Sequence, residues 1–148
     1  KRGEKYYEYQ MAIDKGRVPT GWYDGDAYFR SIADVLVVDG DTAYCLDYKT
    51  GKVKDNPTQL QLFAAMVFAH FPNVQEVKTS FIWLKFNKVD NTTYKRDHLE
   101  ALWNGLQPRL DMVKEVVDLG YFKTKPSGLC PWCPAQDICP DARLRGRR

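Results

Sequence analysis

No stretch of this chain reaches the run of about 18 apolar residues that a membrane-spanning helix needs. No basic start, apolar middle and small-residue cleavage site marks a leader. No membrane partner is therefore expected, and the protein is read as cytoplasmic. The chain opens on Lys1 rather than Met, and a preceding segment is expected. Internal repeats, low-complexity tracts and helicase motifs are absent. The net charge is only +3, too little to argue by itself for a nucleic-acid partner. Cysteine is scarce, and three of the four crowd together as Cys130, Cys133 and Cys139. That is no disulfide framework of a secreted domain; metal ligation in a reducing compartment suits it better. What is present is a chain of 148 residues, rich in aromatics and long enough to bury one core.

Lys5 to Ile13 alternates and is rich in tyrosine, which predicts a strand. Lys15 to Gly21 is a turn-rich connection. Tyr28 to Val38 and Thr42 to Lys49 read as two antiparallel strands joined at Asp39-Gly40-Asp41, because Asp-Gly tolerates the positive φ of a tight hairpin. Asn56 caps and Pro57 opens a helix running to about His70. It is apolar nearly all round, so burial on more than one side is expected. Val74 to Phe86 reads as a strand and Lys88 to Lys95 as its hairpin partner. Asp97 and Glu100 have the spacing of a capping box opening the last helix. There Leu99, Trp103, Leu106, Leu110, Val113 and Val117 recur at helical spacing, which predicts a core face; Gly120 ends the helix.

The period of two along a strand puts Asp47 and Lys49 on one side. Across the hairpin, Asp34 can sit beside Asp47. An acid in a strand rich in valine and leucine is costly to bury without a purpose. The bland reading pairs Asp34 with Lys49 as a structural contact. The sharper one notes that two carboxylates and a lysine at one sheet edge can bind a divalent metal and activate water, as nucleases do. Cys45 shares that face and reads as a small core residue. Neither His70 nor His98 is assigned a role.

Ala33-Asp34, Leu46-Asp47-Tyr48-Lys49-Thr50-Gly51-Lys52 and Gln59-Leu60-Gln61-Leu62-Phe63-Ala64 fall in the order three strands, helix, two strands, helix. In this the chain resembles the PD-(D/E)XK nuclease superfamily, specifically its RecB/AddB-type exonuclease branch, over roughly residues 5 to 140. The resemblance implies an α/β, restriction-endonuclease-like core, a mixed central sheet flanked by helices, over residues 1–121. Residues 122–148 would form a Cys-rich C-terminal segment packed on that core, ending in a basic tail read as a solvated end. By resemblance Asp34 and Asp47 are carboxylate ligands of Mg²⁺ or Mn²⁺, and the Tyr48 carbonyl is the third protein ligand. Mg²⁺ takes oxygen ligands and keeps several waters, so this set suffices. Lys49 positions water or stabilises developing charge, and Gln59 holds Lys49 or a DNA phosphate, its bland alternative being a surface residue. Phe63 stands where the branch has tyrosine. Glu8 resembles the branch's upstream glutamate, with an ordinary strand residue as the alternative. Lys52 and Lys54, just past Gly51, are the expected phosphate contacts.

Cys130-Pro131-Trp132-Cys133 followed by Cys139 is C-x₂-C-x₅-C, a spacing that suits a soft metal or an iron–sulfur cluster. It resembles the tail of the iron–sulfur members of the same branch. That implies a [4Fe–4S] cluster with a fourth ligand outside the visible chain; zinc and no metal at all stay open. The expected function is a stand-alone, metal-dependent DNA exonuclease for recombination, repair or phage DNA processing, in the host cytoplasm if phage-encoded. A flap or junction endonuclease on the same fold is the enzymatic alternative. A catalytically inactive DNA-binding subunit is the other, and the intact Asp34, Asp47, Lys49 and Gln59 argue against it.

Overall fold

The computed structural model describes residues 3–53 and 57–141. Five strands form one sheet in the order of the chain: β1 (Glu4–Ile13), β2 (Phe29–Asp39), β3 (Thr42–Lys49), β4 (Glu76–Trp83) and β5 (Lys88–Lys95). Two helices accompany it, α1 (Pro57–His70) between β3 and β4, and α2 (Leu99–Leu119) after β5. The β3–β4 pair is parallel and every other pair antiparallel, so the sheet is mixed, as expected. The parallel pair follows from α1: a helical crossover returns the chain to the edge it left, which a hairpin cannot do. The β2–β3 hairpin closes with Asp39 opposite Thr42 and Gly40 at φ +64°, so glycine serves where most side chains would be strained.

Alternation sorts β3 and β4 into two faces. Ala43, Cys45 and Asp47 on β3, with Val77, Thr79, Phe81 and Trp83 on β4, are all buried. This is the face that α1 covers, and α1 touches every strand. Helix α1 buries Phe63 through Phe68 without interruption, the consequence of being apolar around its circumference. A buried side chain of that size contributes about 1.5–3 kcal/mol. The orphan carbonyls at its C-terminal end are met from another element: the Arg96 guanidinium donates to Phe68 O at 3.0 Å and Phe71 O at 2.7 Å.

Three expectations change. The strand from Val74 is shorter, because Leu84–Phe86 turns as a 3-10 helix and Asn87 adopts left-handed geometry at φ 47°. The capping box does not form: Arg96–His98 is a 3-10 turn, and the Glu100 carboxylate instead accepts from Arg17 Nη1 at 3.1 Å. The stripe on α2 is core only in its first half, where Trp103 and Leu106 are buried, while Val113 is 63% exposed. Periodicity defines a face but not the length of its partner surface. Pro108 lies inside the helix, where its ring removes a backbone donor. The chain divides there into compact units Lys1–Pro108 and Arg109–Arg148. Among the described residues no helix is long and apolar enough to cross a membrane.

Candidate active site

The C-terminal end of β3 and the first turn of α1 converge on one side chain. Asp47 is 6% exposed. Its Oδ1 accepts from Gln59 Nε2 at 3.0 Å. Its Oδ2 faces Lys49 Nζ at 2.6 Å, an ionic contact. Buried Oδ2 nevertheless lacks a hydrogen bond of acceptable angle. At that distance the ammonium is a close charged partner of the carboxylate. Gln59 closes the triangle, because its Oε1 accepts from Lys49 Nζ at 3.2 Å. One amide therefore fixes both the acid and the base. Pro57 makes this possible by starting α1 two residues earlier, with Gln59 in its first turn.

Asp34 arrives from β2. The β2–β3 ladder ends at Val35 opposite Leu46, and one step further the register sets Asp34 across from Asp47. There Asp34 Oδ2 accepts from the Tyr48 backbone N–H at 2.8 Å, in place of a ladder bond. The Tyr48 carbonyl was the atom expected to matter; its N–H contributes as well, by orienting Asp34.

Burial pushes the Asp47 carboxyl above the usual carboxylate range. Lys49 pulls it back, Asp34 pushes it further up, and Gln59 again lowers it. The deepest neighbour, Cys45, is pushed up to about 12 by burial and by the charges of Asp47 and Asp34. Its thiol stays protonated, which suits a core residue and not a nucleophile. Lys49 also sits 5.0 Å from the centroid of the Phe81 ring, across the β3–β4 register. Sequence reasoning missed Phe81, because only the parallel pairing brings it under Lys49.

Asp47 Oδ2 meets the Lys49 ammonium and keeps a further lone pair. A hard divalent cation would use it, since Mg²⁺ needs few protein oxygens and fills its shell with water. The donors that fit are Asp34, Asp47 and the Tyr48 carbonyl. Among the described residues no three His, Cys, Asp or Glu side chains form a metal-holding group.

The remaining candidates make no contact described above. Glu8 is exposed on β1 with φ 49°, opposite the Asp34 position in a register that pairs Tyr7 with Val35 and Tyr9 with Ala33. A left-handed non-glycine residue within a strand is uncommon. Lys52 is exposed just past β3. Lys54 and Asn56, the expected helix cap, lie outside the described residues. Cys130, Cys133 and Cys139 do not assemble into a metal-holding group. Local bonds occupy their segment: Ser127 N donates to Cys130 Sγ at 3.1 Å, and Cys139 N to Ala135 O at 2.9 Å.

The profile of the PD-(D/E)XK nuclease superfamily matches residues 1–140, and the chain belongs to that superfamily. Among solved structures, one titled "Crystal structure of SSO0001" is 12% identical with a TM-score of 0.48, aligned over 93% of this chain and 60% of that one. The chain thus spans less than two thirds of that structure's length. Among curated proteins nothing matches.

Proposed function

We propose that this protein is a divalent-metal-dependent DNA exonuclease of the RecB type, serving recombination, repair or phage DNA processing. One observation carries the reading: buried Asp47 is held between Lys49 and Gln59, with Asp34 on the next strand. In this reading Asp34, Asp47 and the Tyr48 carbonyl hold Mg²⁺ or Mn²⁺. Bound there, such an ion would supply charge neutralisation at the phosphoryl group and would make water more acidic.

The chain's own residues do the rest. Lys49 presents a fixed positive charge to the oxyanion that develops on the phosphoryl group, without reorganising during the reaction. Gln59 keeps the ammonium and the carboxylate in register. Tyr48 N–H steers Asp34 toward its neighbour. Lys52, beyond Gly51, and Lys54 contact backbone phosphates and so supply affinity that weakens with salt.

Labelled linear and circular single-stranded DNA, incubated with Mn²⁺, provide the test. Degradation of the linear strand with the circle intact is the expected result, because an exonuclease needs an end. Cutting of the circle would replace this reading by an endonuclease for flaps or junctions. Binding without cleavage of either would make the protein an inactive DNA-binding subunit.

A further inference from the structure

The turn between β4 and β5 stands at the same end of the sheet as the acids. Lys49 pairs with Trp83 across the parallel register, and Leu84 follows at once. The turn touches β3 itself. Its stem is firmly held: Trp83 is buried, its ring lies 5.7 Å from that of Phe81, and its Nε1 donates to Asp90 Oδ2 at 2.7 Å. Its tip is the opposite. Leu84 is 57% exposed, Phe86 47% and Val89 53%. Scattered exposed apolar residues are ordinary. Three within six residues, on a turn that touches β3, offer apolar surface at this end of the sheet. Lys85 adds an exposed positive charge, while Lys88, also exposed, has its ammonium beside Asp90 Oδ1 at 2.8 Å. An apolar, aromatic tip beside a lysine matches a nucleobase with its attached phosphate, since every base offers a π-face and every linkage a negative charge.

We propose that Leu84 and Phe86 form a stacking platform for an unpaired nucleobase of the DNA strand being cleaved. This deepens the DNA-nuclease reading and rests on it. A base held out of its stack beside Lys49 fixes the strand's register at the scissile phosphate. The protein then favours single strands and frayed ends over blunt duplex, in which every base is already stacked.

Binding in EDTA separates this from hydrolysis. Fluorescence anisotropy is measured with a single-stranded oligonucleotide and with a blunt, fully paired duplex. The variants are Phe86→Ala, Leu84→Ala with Phe86→Ala, and Phe86→Trp. Both side chains are exposed, so folding is not at stake. Losing an aromatic stack should weaken single-strand binding by roughly 5- to 100-fold and duplex binding by no more than about twofold. Phe86→Trp should keep wild-type affinity. Undiminished single-strand affinity in the double variant, or equal losses on both DNAs, would overturn the platform alone. Wild-type protein that binds single strands through Phe86 but never cleaves with Mn²⁺ would sink the nuclease reading instead. Failure to bind DNA at all would sink both.

Discussion

The junction of β3 with α1 and the cysteine-bearing segment after α2 both concentrate chemistry-bearing side chains, yet they are built in opposite ways. At the junction, three elements distant in sequence supply Asp34, Asp47 and Gln59, and the contacts span ten to fourteen residues. Its central acid is buried, which makes each of its polar partners costly to lose. In the other segment, Cys130 meets Ser127 and Gln136 within six residues, and Cys133 lies exposed. Exposed local bonds exchange with water at little cost.

The contrast breaks most visibly at the acids. Asp34→Ala should reduce DNA cleavage to background while far-ultraviolet circular dichroism stays native. Cleavage at wild-type rate would remove Asp34 from the site. Lys49→Ala comes next: its turnover should fall ~10²–10³-fold, as for other single electrostatic donors, with DNA affinity much less affected. Single-turnover rates at saturating DNA measure this, and an unchanged rate would reduce Lys49 to a structural partner of Asp47.

The other region should respond weakly. Changing Cys130, Cys133 and Cys139 together to serine should alter unfolding free energy by no more than about 0.5 kcal/mol, as for surface positions. Denaturant titration reads this directly. A loss of several-fold more would mean that the three thiols share a ligand. The smallest effect lies at the far end of α1, where His70 Nε2 bonds Ala12 O at 2.9 Å and burial holds the imidazole below its usual range. The unfolded chain then takes up the proton first. His70 therefore contributes stability that is present above a pH of about 6.5 and declines as pH falls toward the folded value. A melting temperature that drops on acidification in wild type but less in His70→Gln is the expected pattern.

Much of the junction was legible because local rules set its geometry. Alternation and the Asp39-Gly40 turn fix which residues of β2 and β3 face each other, and Pro57 fixes where Gln59 falls on α1. Phe81 beneath Lys49 was not legible, because no local signal sets the parallel β3–β4 register. Nor was the fate of α2: its apolar stripe announces a face, and only the fold decides that Val113 and Val117 stay exposed. No local signal marks Arg96, which closes the end of α1. Glu8 carried no hint of its left-handed backbone.

The most direct test of the junction as a hydrolytic metal centre is the rate of linear DNA cleavage against free Mn²⁺, for wild type and Asp47→Ala in parallel. Wild type should show a saturable rise from zero and no turnover in excess EDTA, while Asp47→Ala stays at background at every Mn²⁺ concentration. Turnover by wild type in excess EDTA, or a wild-type curve from Asp47→Ala, would contradict it.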